Sequence, residues 1–309
     1  MATALTFVAG LAQAQPVVRA HYFTFDVASD EVLAPGDAYL AASPERFWSV
    51  TQILAFEGGV GGDGPAVLAA ASLPGALQGG GVLACDGNPP GQDEGLWVVM
   101  SEGFPIGDVT VEAMFYMSEL TPSRPFTNLG LQYVVSTEIP GGGAQYPQGQ
   151  IRLVNGLLQW NAGEPPAGGP ERRVETPAVL SANTWYHAVG VIDYNDGNPA
   201  ASELRLYLRA NGVAGLADLV GTAAIDLDDP AVTVGWAPPA TAAQGPILTA
   251  VNRYCIGCSP SNSINGSDLR GLQGEIDAVA VTDQAGAIYL PDQPPFPPVT
   301  GADTWSIYR

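Results

Sequence analysis

Two carboxylates, Glu275 and Asp277, are the residues whose types and spacing come closest to a catalytic arrangement. They alternate in the β-rich run 274–281 (GEIDAVAV), and alternate side chains of a strand lie on one face of a sheet. Two adjacent carboxyl groups can cleave a glycosidic bond when one attacks the sugar and the other protonates the leaving oxygen. The run continues with Val279 and Ala280, and neither side chain transfers a proton. We therefore expect a strand of a sheet here and not an active site.

Two tryptophans are candidates for ligand binding, because aromatic rings at strand ends offer surfaces on which sugar rings stack. Trp160 ends the apolar run 157–160, and Trp236 ends the run 232–236 just before a Pro-rich turn. We predict that Trp160 and Trp236 contribute to a sugar-binding surface. Packing beneath a loop is the alternative for each.

The charge of the chain excludes several classes of partner. Its 11 basic residues are all Arg, and 31 acidic residues give a net charge of −20. Nucleic-acid binding depends on cations that neutralise phosphates, so a nucleic-acid partner is not expected. Without Lys the chain has no phosphate-binding Gly-x-x-x-x-Gly-Lys loop, and it also has no Gly-x-Ser-x-Gly nucleophile elbow.

The first 14 residues are small and apolar and end in Ala12-Gln13-Ala14, which is typical of a secretory signal and its cleavage site. No Lys or Arg precedes this run, so we interpret 1–14 as a signal-peptide remnant, with a frayed first strand as the alternative. The prediction is an extracellular or cell-surface location. No other apolar run reaches the roughly 20 residues that cross a bilayer, so no membrane insertion is expected.

The three cysteines, Cys85, Cys255 and Cys258, leave three pairings open. An exported chain permits a disulfide from Cys85 to Cys255 or Cys258. A local Cys255–Cys258 bond and three buried thiols are the alternatives. A single Cys-x-x-Cys is a weak zinc signal, because a closed structural site needs four ligands.

The elements that must position these residues are predicted to be short strands. Residues 185–211 place two β-rich runs around a polar, Gly-bearing connection, which predicts an antiparallel hairpin. Further strands are expected at 109–116 and 276–281, and no helical apolar stripe exceeds two turns. Many strands separated by turns favour an all-β, antiparallel sandwich.

Three of these runs resemble the laminin G-like family within the concanavalin A-like lectin and glucanase jelly-roll superfamily. The runs are 185–189 (WYHAV), 206–212 (LYLRANG) and 274–277 (GEID). The resemblance implies one antiparallel jelly-roll β-sandwich of two curved sheets over 15–290, with an insertion around 28–78 and a Pro-rich tail at 291–309. It also implies a Glu-x-Asp-x-Glu strand in catalytic members, of which this chain has only the first two carboxylates.

In related jelly rolls a structural Ca²⁺ often joins an acidic residue near the first strand to the Asp of the closing strand. The resemblance therefore implies a Ca²⁺ site at Asp26 and Asp277, because Ca²⁺ prefers hard oxygen ligands. The alternative is that Asp277 accepts backbone hydrogen bonds at a strand crossing.

These observations predict a secreted or cell-surface recognition module, without catalysis, that binds a polysaccharide or a surface protein. A polysaccharide hydrolase or lyase on the same fold is the first alternative. A lyase needs an Arg, a His and a Tyr that converge on one sheet, and Arg152, His187 and Tyr207 all lie on predicted strands. A structural component of a cell envelope or appendage is the second alternative.

Overall fold

The computed structural model describes residues 20–25, 27–34, 38–39, 46–47, 50–58, 64–71, 81–85, 93–100, 108–119, 131–136, 149–161, 172–195, 197–210, 218–225, 253–258 and 271–282. Within these residues the chain forms two sheets, and every pairing between their strands is antiparallel. The only helix in the described part is the 3₁₀ turn Pro199–Ala201. The predicted antiparallel β-sandwich is thereby confirmed, and it agrees with the fold that the sequence resemblance implies.

The smaller sheet has seven strands. In spatial order they are β12 (Arg173–Glu175), β11 (Leu157–Asn161), β10 (Gln150–Val154), β9 (Leu131–Ser136), β16 (Arg253–Ile256), β7 (Asp93–Met100) and β4 (Val50–Gly58).

The larger sheet has ten strands. Eight follow one path: β15 (Asp218–Ile225), β14 (Ser202–Ala210), β13 (Thr184–Asp193), β8 (Val109–Met117), β17 (Gly274–Thr282), β6 (Val82–Ala84), β5 (Ala66–Leu68) and β2 (Glu31–Val32). Beside this path, β1 (Ala20–Phe23) pairs with β17, and β3 (Arg46–Phe47) pairs with β1.

The strands predicted at 109–116, in 185–211 and at 276–281 are consecutive neighbours in the larger sheet, in the order β14-β13-β8-β17. The predicted hairpin is β13–β14, with Tyr186 opposite Ala210 and Asp193 opposite Glu203. The segment 28–78 supplies β2 and β5 at one end of the larger sheet and β4 at one end of the smaller sheet. Residues 1–14 and 291–309 lie outside the described part.

Apolar side chains from alternate positions of both sheets form the core between them. Ala188 and Ile192 of β13 point into this core, as do Val111 and Phe115 of β8. Val189 and Val191 of β13 and Met114 of β8 alternate with them and point to the opposite side of the sheet, because side chains alternate along a strand. Among the described residues no helix is long and apolar enough to cross a membrane.

Candidate functional site

Trp160, predicted to bind sugar, is a core residue, and the structure corrects that prediction. Its side chain is fully buried, and its indole Nε1 donates a hydrogen bond to the carbonyl oxygen of Val191 in the opposite sheet, 3.0 Å away. The ring lies so close to Gly190 that a Cβ added there would stand 2.2 Å from ring atom Cδ2. Trp160 therefore has no exposed face on which a sugar could stack. The other candidate, Trp236, lies outside the described residues.

The closing strand β17 contains a bulge that the alternation argument did not foresee. The register against β8 shifts between Ile276 and Ala278, so that Asp277 occupies the bulge. Glu275 is opposite Tyr116, while Val279 points into the core and Ala280 lies opposite Glu112. The residues that follow Asp277 are thus apolar, as expected for a strand of a sheet.

The calcium site at Asp26 and Asp277 stays a prediction. Asp277 is buried, and the strands on which the prediction depends are hydrogen-bonded neighbours, with Phe23 of β1 opposite Val279 of β17. Asp26 lies outside the described residues. In the described part no group of three or more His, Cys, Asp and Glu side chains is close enough to hold a metal ion.

The three residues that a lyase would need do not converge. Arg152 lies on β10 of the smaller sheet, whereas His187 and Tyr207 lie on β13 and β14 of the larger sheet. Their neighbours in sequence point into the core, so all three project outward, from opposite sides of the sandwich. The arrangement brings only His187 and Tyr207 to one face.

Cys85, Cys255 and Cys258 are buried free thiols in the structure. This is the third of the alternatives that the sequence left open. The Sγ of Cys85 lies 3.9 Å from the carbonyl oxygen of Leu83, and the Sγ of Cys258 lies 3.8 Å from that of Leu96.

The outward side of the smaller sheet carries two parallel rows of polar side chains across four adjacent strands. The strand registers define the rows, and we call these eight residues the polar face. One row is Ser136, Gln150, Asn161 and Arg173, and the other is Tyr133, Arg152, Gln159 and Glu175.

Hydrogen bonds join five residues of the polar face into one chain. Arg152 Nε donates to Gln159 Oε1 at 3.0 Å, and Gln159 Nε2 donates to Glu175 Oε2 at 2.9 Å. In the other direction Arg152 Nη1 donates to Gln150 Oε1 at 3.4 Å, and Gln150 Nε2 donates to Ser136 Oγ at 3.0 Å. The guanidinium of Arg152 therefore lies between the side-chain amides of Gln150 and Gln159, and the hydrogen bonds fix the donors and acceptors of these groups in place.

The polar face has a buried base and an exposed rim. Arg152 and Gln159 are at most 4 % exposed, whereas the side chains of Arg173 and Glu175 on β12 are 43 % and 41 % exposed. Arg173 Nε stands 3.5 Å from Glu175 Oε2. The rim therefore meets solvent while the base is shielded from it.

Asn161 stands out within the polar face because its side-chain amide is fully buried. Neither its Oδ1 nor its Nδ2 has a hydrogen-bond partner within the described residues. Burying such a group without a partner costs about 1–3 kcal/mol. A ligand or an ordered water that supplied the missing hydrogen bonds would recover this cost.

An aromatic side chain extends the first row of the polar face. Ser136 is opposite Cys255 of β16, and Cys255 is opposite Trp97 of β7. Trp97 is partly buried and packs with Cys255 and Cys258, while its neighbours Leu96 and Val98 point into the core. Among the described residues, this side of the sheet therefore carries Trp97, whereas Trp160 points into the core.

The outward side of the larger sheet has a different character. Met114, Trp185, Ala278 and Ala280 form an apolar cluster there. A buried ionisable pair on this side is His187 and Glu112, with Nε2 and Oε1 2.6 Å apart.

Burial sets the charge state of this pair. Loss of hydration raises the pKa of Glu112 well above its usual value. Loss of hydration, with a smaller contribution from the nearby positive charge of Arg209, lowers the pKa of His187 to about 3. Both shifts favour neutral side chains, so the contact joins a carboxyl group to a neutral imidazole.

Sequence reasoning missed the polar face although a signal was present. In β10 and β11 the core residues Ile151, Leu153 and Leu158 alternate with Gln and Arg, which indicates one polar side. Only strand pairing shows that these polar positions stand side by side.

No family model matches this sequence, and the search of curated proteins gives no match. Among solved structures, the chain is similar to endo-β-1,4-glucuronan lyase from the fungus Trichoderma reesei, at 13% identity over 87% of this chain and 93% of that chain, with a TM-score of 0.38. It is similar to alginate lyase A1-II′ of polysaccharide lyase family 7, at 12% identity over 85% and 92% of the two chains, with a TM-score of 0.34. It is also similar to an SAP-like pentraxin from Limulus polyphemus, at 15% identity over 61% and 70%, with a TM-score of 0.33. At TM-scores this low the matches assign no activity, and the sandwich architecture rests on the strand order of this chain.

Proposed function

We propose that this chain is an extracellular or cell-surface glycan-recognition module without catalytic activity, and that the glycan binds along the polar face. The observation that carries the proposal is the double row of polar side chains, which includes the buried amide of Asn161, whose hydrogen bonds are unmet within the described residues. A sheet side that served packing alone would be apolar, because buried polar groups cost free energy unless they are hydrogen-bonded.

The chemistry of the polar face suits sugars. Each sugar hydroxyl both donates and accepts hydrogen bonds, and Gln and Asn side chains offer both functions. Trp97, in the row of Ser136 and Cys255, adds a ring for stacking against the apolar side of a sugar. The exposed pair Arg173 and Glu175 would meet the glycan first, at the rim.

The absence of catalysis is proposed from the arrangement of the candidate groups. In β17 the residues after Asp277 are apolar, with Val279 in the core and Ala280 opposite Glu112, so neither supplies the further carboxylate of a Glu-x-Asp-x-Glu strand. Arg152 is separated from His187 and Tyr207 by the thickness of the sandwich. Neither a hydrolase pair nor a lyase trio is assembled from these residues.

A glycan array with neutral and acidic oligosaccharides tests the proposal. We expect selective binding by the unaltered chain and at least tenfold weaker binding by Arg152→Gln and by Trp97→Ala, because each removes a contact worth about 1.5 kcal/mol or more. Glu31→Gln is the control, since Glu31 is an exposed residue of β2 in the other sheet and should leave this binding unchanged.

Two results would contradict the proposal in different ways. Reducing-sugar or unsaturated-product assays that detect turnover of a bound glycan would show an enzyme. An array without any binding would favour a structural component of an envelope or appendage.

A further inference from the structure

A second candidate site lies on the other sheet, at the end of the β13–β14 hairpin. An open cavity of about 660 Å³ is bounded there by side chains of β13, β14 and β15, among them Asp193, Glu203 and Arg205. Leu204 and Leu206 point into the core, so Glu203 and Arg205 project outward. We call this cavity the hairpin groove.

The strand registers explain how the hairpin groove forms. Asp193, Glu203 and Ala224 form one cross-strand row, because Asp193 is opposite Glu203 and Glu203 is opposite Ala224. In the next row Arg205 is opposite Thr222. Long charged side chains on β13 and β14 thus stand beside short ones on β15, and the difference in length leaves the groove.

Ion pairs hold the charged groups of the groove in fixed positions. Arg205 Nε donates to Glu203 Oε2 at 2.7 Å, and Arg205 Nη2 donates to Asp193 Oδ2. The hydrogen bond from Arg205 lowers the pKa of Glu203, so this carboxylate remains ionised at neutral pH. One cation between two carboxylates leaves the groove with one net negative charge.

The rim of the groove is tied down by the turn that connects the hairpin. The backbone N–H of Asn195 donates to Ser202 Oγ at 3.0 Å, and that of Asn198 donates to Asn195 Oδ1 at 3.0 Å. The backbone N–H of Tyr194 donates to Asp108 Oδ1 at 2.8 Å. A ligand would therefore meet a pre-formed wall, which lowers the entropic cost of binding.

The groups of the groove retain capacity for a ligand. A guanidinium has five N–H donors, and the contacts of Arg205 within the described residues use two of them and one oxygen of each carboxylate. The side chain of Thr222 also hydrogen-bonds to Glu203, so the remaining acceptor capacity lies in the further lone pairs of the two carboxylates. The side chains of Arg205, Asp193 and Glu203 are 28 %, 40 % and 36 % exposed. Donors and acceptors thus alternate over a short distance at an accessible surface.

We propose that the hairpin groove binds vicinal hydroxyls of a neutral saccharide, as a second carbohydrate site independent of the polar face. Adjacent hydroxyls donate to the remaining lone pairs of the two carboxylates and accept from the spare N–H groups of Arg205. The net negative charge of the groove disfavours uronates, sulfated sugars and other anions. This inference rests on the groove alone and does not require that the polar face bind glycan.

The test is an NMR titration of the ¹⁵N-labelled chain with neutral tetrasaccharides, namely cello-, manno- and xylotetraose. We expect at least one of them to shift the backbone amides of 193–195, 202–205 and 222–224. Ala224→Leu should weaken this binding at least tenfold, because it fills the groove from an exposed position and leaves the ion pairs intact. Arg205→Gln should do the same, and Arg152→Gln should have no effect.

Three outcomes would overturn the inference. One is that no tetrasaccharide shifts these amides, and another is that Ala224→Leu binds as tightly as the unaltered chain. The third is that CaCl₂ shifts these amides while the sugars do not, which would make the groove a cation site. Loss of binding in Arg152→Gln alone would support the polar face and count against the groove.

Discussion

The outward sides of the two sheets are both buried at their centres, yet their chemistry is opposite. On the larger sheet, Met114, Trp185 and Ala280 belong to an apolar cluster. On the smaller sheet, Arg152 and Gln159 lie within two rows of polar side chains. Burial alone therefore does not mark a binding site. The buried polar rows carry the proposed site, because each buried polar group needs a hydrogen-bond partner and a ligand or a water can supply a missing one.

The largest expected effect is on the free energy of unfolding, and it distinguishes the core of the sandwich from the outward side of the smaller sheet. Trp160→Ala should lower the free energy of unfolding by about 3–5 kcal/mol, because it empties a fully buried ring site and removes the hydrogen bond to Val191. Urea unfolding followed by circular dichroism measures the loss. Trp97→Ala, at a partly buried position of the polar side, is the control and should cost less than about half as much. Equal losses would remove the distinction between the two tryptophans.

The second prediction concerns the neutral pair on the apolar side. The pKa of Glu112 is raised in the folded chain, so its contribution to stability is fully present below its unfolded pKa of 4.5 and is lost as the pH rises toward the folded pKa. Glu112→Gln removes this loss. Relative to the unaltered chain, the variant should therefore gain about 1.4 kcal/mol for each pH unit above 4.5, up to the folded pKa.

Denaturation of both proteins at pH 4.5 and 7.5 measures that difference. His187 acts in the opposite direction, because its lowered pKa makes stability fall in both proteins as the pH drops from 6.5 toward about 3. This common term cancels in the comparison. A difference that is independent of pH would show that Glu112 is ionised and paired with a charged His187, and that the pair is not neutral.

The third prediction tests the unpartnered amide of the polar face. Asn161→Leu should raise the free energy of unfolding by about 1–2 kcal/mol, because it removes a buried polar group whose hydrogen bonds are unmet within the described residues. The same variant should weaken glycan binding on the array. Gln159→Leu is the matched control and should destabilise the chain, since it deprives Arg152 and Glu175 of a partner. Destabilisation by Asn161→Leu would contradict the role given to this amide.

The smallest effect is expected at the exposed rim. Arg173→Ala should change the free energy of unfolding by less than about 1 kcal/mol, because the ion pair with Glu175 is solvated and its atoms are 3.5 Å apart. Thermal unfolding at low and high salt measures this change. A larger loss would mean that the rim is part of the packed structure, which would weaken its proposed role as the entry to the polar face.

Much of the fold could be predicted because alternation along a strand is a local property. The patterns in 109–116, 186–192, 204–208 and 276–281 correctly indicated four strands, and the polar turn after Asp193 correctly indicated a hairpin. The bulge at Asp277 was not predictable, because it depends on the register against β8.

The site was less accessible to sequence reasoning. Trp160 was assigned to a binding surface because it ends a strand beside Asn161, but the two residues point to opposite sides of β11. Which side is inward depends on the sheet that packs there. Trp97 was not predicted to bind a ligand, because Cys255 and Ser136 lie in its row only through the pairing of separate strands.

By itself, the sequence determined the β-rich composition, the positions of the main strands and the strong negative charge, since each follows from residue type and short-range periodicity. The tertiary structure alone decided which polar residues stand together. Gln150, Asn161 and Arg173 form one row, and Asp193, Glu203 and Ala224 form another on the opposite sheet. The reason is that side chains on neighbouring strands become adjacent through register and pairing order, which depend on contacts between residues far apart in the chain.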